Sequence, residues 1–198
     1  MKRIGLFGGS FDPVHNAHVA LAQVALDHLA LDELRWMPAG QPWQKTRAMT
    51  PAEHRAAMVQ AAIAGEPRFV LERCEIERTG PTYTLDTVRA LAAREPGGQW
   101  FLVIGQDQYA RLSTWHDWRD LLGLVTLAVA ARSGESPQPD PAIAALPHSM
   151  VTLPLPRMDV SATEVRRRAA AGEPIDDLVP PAVARYIDQH RLYRGPGS

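Results

Sequence analysis

The chain has 198 residues, 45% hydrophobic and 22% charged, which is apolar material enough for one buried core of ordinary α/β size. Its 21 basic and 22 acidic residues leave a formal charge of −1, so no general basic field marks it for nucleic acid. One cysteine, Cys74, excludes an intramolecular disulfide and a cysteine-built zinc cluster, and no apolar run is long enough to cross a bilayer. The N-terminal apolar run turns to glycine too soon for a secretory signal, so the expected setting is cytoplasmic.

Residues 4–7 read as a buried strand that meets a tight turn at Gly8-Gly9. Val19, Leu21, Ala22, Ala25, Leu26 and Leu29 recur at helical spacing and predict a helix over 17–31. A second strand is expected at 34–37, stopped by Pro38 and Gly40. Thr50-Pro51-Ala52-Glu53 places an N-cap, a proline at N1 and an acid at N3, opening a helix to about residue 64. A third strand at 69–71 precedes a helix over 84–94, which Pro96-Gly97-Gly98 breaks. Residues 100–104 form the clearest buried strand, ending at Gly105, and 124–130 and 150–153 are two more. Ser161-Ala162-Thr163-Glu164 is a second capping box, opening a helix to 171. Pro180-Pro181 starts a last helix that ends near 190.

Strands alternating with helices predict an α/β fold, a Rossmann-like, doubly wound and mostly parallel sheet with a C-terminal helical segment. The stretch 133–148 carries four prolines and reads as a long surface loop. Residues 1–194 are expected to form a single domain, with 195–198 as a disordered tail.

The string Gly8-Gly9-Ser10-Phe11-Asp12-Pro13-Val14-His15-Asn16-Ala17-His18 joins the first strand to the first helix, a position that faces the ligand crevice of an open parallel sheet. It has neither the G-x-G-x-x-G spacing of a dinucleotide fingerprint nor the spacing of a P-loop. Two glycines permit close backbone approach to an anion, and the helix start offers N–H groups and a positive dipole end. His15 and His18, three apart, fall on one side of a helical turn, where two donors suit a polyphosphate. Histidines that merely cap and fill are the plain alternative. A zinc site is another, but His-x-x-His without a third ligand is a poor pattern for it. Gly105-Gln106-Asp107 follows the strongest strand. If strand order reverses between that strand and the first, both turns meet at one crevice, where Asp107 would reach ribose hydroxyls, hold magnesium indirectly, or simply cap a helix. The hydroxyls and opening N–H groups at Ser161 and Thr163 form a second anion site with Arg166 on the same turn, whereas Arg167 and Arg168 read as solvated surface.

The eleven-residue string resembles the Gly-Gly-Ser/Thr-Phe-Asp-Pro-x-His-x-Gly-His signature of the H-x-G-H nucleotidyltransferase superfamily, with Ala17 where that family usually has glycine. The segment from Val160 to Arg166 is similar to the superfamily's Ile-Ser-Ser/Ala-Thr-x-Ile/Val-Arg motif, which grips ATP phosphates. Thr82-Tyr83-Thr84-Leu85-Asp86-Thr87, and Trp115-His116-Asp117-Trp118 beyond Gly105-Gln106-Asp107, resemble segments of the bacterial nicotinate mononucleotide adenylyltransferases.

That resemblance implies transfer of AMP from ATP to nicotinate mononucleotide, forming nicotinate adenine dinucleotide and pyrophosphate. It implies a tryptophan at Trp115 stacked on the pyridine ring and main chain at Thr84 and His116 on its carboxylate, with Trp118 as packing. Pro42-Trp43-Gln44-Lys45 matches the family loop loosely and would bring Lys45 to phosphate, and Arg132 stands where the family has an arginine near the adenine. The ATP site would comprise Gly8, Gly9, Ser10, Phe11, His15, His18, Asp107, Arg132, Ser161, Thr163 and Arg166, with Asp107 also near the mononucleotide. His18 comes first for charge stabilisation, then His15, and Arg166 holds the β and γ groups. Mg2+ would arrive mainly on ATP oxygens. A phosphopantetheine adenylyltransferase and a non-catalytic nucleotide-binding module are the alternatives. No nucleic acid and no membrane are expected as partners, and oligomeric state is not legible.

Overall fold

The computed structural model describes residues 1–40, 49–132 and 134–194 and, of Arg132, the backbone. Strands β1 (Arg3–Gly9), β2 (Glu33–Pro38), β3 (Phe69–Leu71), β4 (Gln99–Gly105), β5 (Thr126–Arg132) and β6 (Met150–Leu155) form one sheet in the order β3-β2-β1-β4-β5-β6. Every pairing in it is parallel. A parallel sheet is covered on both faces, which is why its central strands read as unbroken apolar runs. Phe7, Trp36, Phe101 and Val103 turn to one face and Ile4, Leu6, Leu102 and Ile104 to the other.

On the first face lie α1 (Asn16–His28), α2 (Ala52–Ile63), α8 (Ala162–Ala171) and α9 (Pro181–Gln189), which bury Leu26, Met58, Val165 and Val183. The second face is covered by α4 (Thr84–Arg94) and α6 (Trp118–Leu124), through Val88, Leu91, Trp118 and Leu121. Short helical turns α3 (Cys74–Glu77), α5 (Gln106–Tyr109) and Leu112–Thr114 lie on this second side, as does α7 (Pro141–Ala144), which follows β5 in the chain and adds Ile143 to the same core. Among the described residues no helix is long and apolar enough to cross a membrane.

Several local expectations change. Helix α1 stops at His28, before residue 31, because Ala30 takes a left-handed φ of 47°. The Leu31 N–H then bonds to the Leu26 carbonyl and the Ala30 N–H to that of Asp27, a Schellman closure without glycine. Thr50 is not the cap of α2. Pro51 holds that position, and no side chain caps the helix. Gly8 and Gly9 remain in the strand, paired with Met37 and Pro38, so the turn begins only at Ser10. Part of the 133–148 stretch is ordered by Asp140, whose side chain accepts from the N–H groups of Ala142 and Ile143, and Ile143 is fully buried. Strand β5 starts at Thr126 because Leu124 still belongs to α6.

Candidate active site

Strand β1 lies between β2 and β4, so successive crossovers leave it in opposite directions. The C-terminal ends of β1 and β4 flank the switch point, where a parallel sheet opens a crevice. An open cavity of about 200 Å³ occupies it, lined among others by Gly8, Gly9 and Ser10 from the end of β1, Thr84 from α4, and Trp115 and His116. Three separate stretches expected at a site thus meet in one space.

One side of the cavity is built on the start of α4. Tyr83 is its N-cap and supplies no side-chain cap, so first-turn N–H groups open toward the cavity's rim with the positive end of the helix dipole. Trp115 is half-buried, packed on the second-face core while lining the cavity, whereas Trp118 is buried in that core as expected for packing. The Tyr83 ring lies 4.3 Å from that of His116, which itself contacts Asp117 at 3.1 Å through Nε2.

Glu75, which sequence reasoning missed, also lines the cavity and is buried. Its Oε1 accepts the Thr87 hydroxyl at 2.9 Å, fixing α3 to α4, and burial pushes its carboxyl above the usual carboxylate range. Gly40 faces it so closely that an added Cβ would stand 2.2 Å from the Glu75 carbonyl oxygen. Cys74, one residue earlier, is half-buried, and burial together with Glu72 and Glu75 pushes its thiol up to about 12, which leaves it unreactive.

The histidine pair lies behind the Gly9-Ser10 turn and does not line that cavity. His15 is the N-cap of α1 and its ring stacks on that of His18 with centroids 3.6 Å apart. The His15 backbone N–H donates to His18 Nδ1 at 3.1 Å. An Nδ1 that accepts cannot carry the proton, so the neutral ring is protonated at Nε2. Burial lowers the pKa of His15 to about 4 and, with the neighbouring His15, holds that of His18 well below its ordinary value. His15 Nδ1 is buried with no hydrogen-bond partner among the described residues.

The start of α1 is less open than its sequence suggests, since the Asn16 N–H bonds to the Leu178 carbonyl at 2.9 Å. Ala17 sits in the first turn of α1 as an ordinary helical residue.

The Phe11 side chain belongs to the core, which leaves only its main chain to face a ligand. Its side chain is 1% exposed, and a left-handed φ of 46° folds its ring inward against Phe7, Trp36 and His18. It supports the His18 ring from below, at 5.1 Å, and covers Gly9, where a Cβ would lie 3.0 Å from the Phe11 ring.

Arg166 reaches across to this turn, donating to the Asp12 carbonyl at 2.7 Å and to the Thr163 hydroxyl at 3.1 Å. Ser161 caps α8 by accepting the Glu164 N–H at 3.2 Å. Asp107 is exposed on the first turn of α5, and Gly105, not Asp107, is the N-cap there. Arg167 and Arg168 pair with Glu164, Glu173 and Asp177 on the surface. Arg132 closes β5, beside β4, with its side chain outside the description, and Lys45 lies outside the described residues, as do Pro42, Trp43 and Gln44.

Arg55 is the second residue missed. It is 1% exposed and donates to the carbonyls of Thr50, Ser10 and Gly40, so one guanidinium ties the turn after β1 to the segment after β2. Its signal was an arginine in register with Met58 and Val59 on an otherwise apolar helix face. Among the described residues no three His, Cys, Asp or Glu side chains cluster to hold a metal ion.

Residues 6–168 match the cytidylyltransferase-like family model. A Methylibium petroleiphilum protein named as a nicotinate-nucleotide adenylyltransferase is 56% identical over 98% of this chain and 94% of its own length. A Bordetella pertussis protein of the same name is 48% identical over 98% of this chain and 99% of its own. The fold is similar to that of Plasmodium falciparum nicotinic acid mononucleotide adenylyltransferase complexed with NaAD, at a TM-score of 0.79, 20% identity and 98% coverage of both chains. With a family model matched over most of its length and relatives this similar from end to end, the chain belongs to the cytidylyltransferase-like family and, within it, to the nicotinate-nucleotide adenylyltransferases.

Proposed function

We propose that this chain transfers AMP from ATP to nicotinate mononucleotide, giving nicotinate adenine dinucleotide and pyrophosphate as a step in NAD biosynthesis. The observation that carries the reading is the single cavity joining Gly8, Gly9 and Ser10 to Thr84, Trp115 and His116. The attacking group is the mononucleotide's own phosphate oxygen. With a second pKa of about 6, that phosphate is mostly dianionic at neutral pH and needs no general base. Pyrophosphate leaves bound to magnesium, which enters with ATP as part of the substrate. The bond from the α-phosphorus to the bridging oxygen breaks as the new phosphorus–oxygen bond forms, and its electron pair departs with pyrophosphate.

Catalysis then consists of alignment and of charge stabilisation at the α-phosphate. His18 supplies a neutral Nε2–H donor for that charge, with His15 beside it. Arg166, Ser161 and Thr163 hold the β and γ groups, and Asp107 and Arg132 serve the nucleoside. Trp115 stacks on the pyridine ring while the start of α4 and the main chain at His116 receive its carboxylate. Lys45 assists at phosphate.

The test mixes Mg-ATP with nicotinate mononucleotide, nicotinamide mononucleotide or phosphopantetheine and measures pyrophosphate. Fastest release with nicotinate mononucleotide is expected. Release with phosphopantetheine alone would overturn the acceptor, and no release with any of them, despite ATP binding, would leave a nucleotide-binding module. Omitting magnesium should abolish release.

A further inference from the structure

Asp12 is 1% exposed, in the turn that leads from β1 to His15. Among the described residues, at least three distant stretches end on it. The Thr50 N–H donates to Oδ2 at 3.3 Å, Arg166 donates to its carbonyl at 2.7 Å, and the Tyr193 hydroxyl donates to Oδ1 at 2.7 Å. The last of these comes from 181 residues away, beyond the final helix.

The chain reaches that point by an uncommon path. After α9 both Arg191 and Tyr193 take left-handed φ values, 50° and 66°. Neither is glycine, and such a conformation persists only where its surroundings fix it. Here the Tyr193 ring packs on the first-face core beside the turn, and burial pushes its hydroxyl upward in pKa, so it remains a donor.

We propose that Tyr193 is a positioning residue for AMP transfer, acting through Asp12 on the turn that ends at His15 and His18. The proposal rests on the AMP-transfer reading for its chemistry. A buried carboxylate that loses one donor must find another, and the partners nearest it are those that shape the same turn. Moving Asp12 moves the three residues that follow it, and with them the stacked histidines. The mononucleotide end, on α4 and Trp115, packs on the core of the other face, and among the described residues neither Thr84 nor Trp115 takes part in these three bonds.

The decisive variant is Tyr193→Phe, which keeps the ring and removes the donor. Turnover should fall about tenfold or more, a displacement effect well inside the roughly hundredfold that a misplacement of about 1 Å produces. The Michaelis constant for the mononucleotide should stay within about twofold, since its contacts are untouched. Affinity for a non-hydrolysable ATP analogue, read by calorimetry, should weaken by about threefold or more. Combined with Asp12→Ala, which removes the acceptor, the Tyr193→Phe change should cost little further, because both remove the same hydrogen bond.

Turnover and analogue affinity both within twofold of wild type would overturn the proposal. So would additive losses in the double variant, or a mononucleotide Michaelis constant that rises as far as turnover falls. If the wild-type chain releases no pyrophosphate with nicotinate mononucleotide, the AMP-transfer reading fails by itself. The analogue titration then still decides for or against Tyr193.

Discussion

The His15 backbone N–H and the His18 Nδ1 atom, 3.1 Å apart, fix which nitrogen of His18 bears its proton. The bond is local, made within one turn at the start of α1, so it is set as soon as the helix forms. It turns His18 into a neutral donor at Nε2, and the stacked ring of His15 opposes any second proton. Transition-state stabilisation by a neutral imidazole follows the oxyanion-donor pattern and not that of a titrating acid. His18→Ala should lower turnover by about a hundredfold, the scale of one such donor removed. Steady-state assay checks it, and unchanged turnover would remove His18 from the mechanism.

The same burial makes stability depend on pH. Unfolded, both histidines titrate near 6.5, whereas in the fold the pKa of His15 is lowered to about 4 and that of His18 is well below 6.5. Below pH 6.5 the unfolded chain therefore binds more protons than the folded one, and stability falls as pH falls. Each histidine contributes a slope of about 1.4 kcal/mol per pH unit in that window, lost on protonation. Urea unfolding at pH 7 and pH 5 should show the drop, and His15→Gln should make it shallower. An equal drop in the variant would contradict the assignment.

Trp115 is held half by the core and half by the cavity, so it offers a ring without needing to move. Trp115→Ala should raise the Michaelis constant for the mononucleotide by about tenfold or more, the worth of one base–aromatic stack, while that for ATP changes far less. Equal effects on both substrates would sink the stacking role.

One guanidinium, that of Arg55, satisfies the carbonyls of Thr50, Ser10 and Gly40 at once. Burial lowers its pKa and the Asp12 carboxylate opposes that shift, so the guanidinium stays charged. Arg55→Met keeps the stem's volume and leaves the carbonyls unpaired, and should cost about 3 kcal/mol of stability. Chemical denaturation gives the value directly, and a loss under about 0.5 kcal/mol would mean that water replaces the donor.

At Gly40 the limit is steric. Gly40→Ala would place a Cβ 2.2 Å from the Glu75 carbonyl, so α3 must shift, and with it the contact that Glu75 makes to Thr87 on α4. The expected result is a raised Michaelis constant for the mononucleotide with a lowered melting temperature, read by assay and calorimetry. A wild-type constant would show that α3 moves without disturbing α4.

Much of this was legible in the chain because the signals are local. Apolar runs between glycine and proline marked β1, β2 and β4, and the three-residue spacing of His15 and His18 put both imidazoles on one side of the turn. The inward turn of the Phe11 ring was not legible, because it follows from a left-handed backbone angle that spacing does not encode. Thr50 looked like a cap, yet its carbonyl is taken by Arg55 and its N–H by Asp12. Arg55, Glu75 and the pairing of Asp12 with Tyr193 depend on contacts across tens of residues or more, which appear only when the sheet brings its ends together.

The reversal of strand order at β1 and β4 leaves two separate apolar cores, one per face of the sheet. The residues assigned to the acceptor, Trp115 and those at the start of α4, are rooted in one core, while the histidines, Asp12 and Arg166 are rooted in the other. Acceptor preference can therefore drift through changes in one core while the donor half is inherited intact. On such a scaffold, a new acceptor calls for repacking on one side of the sheet only.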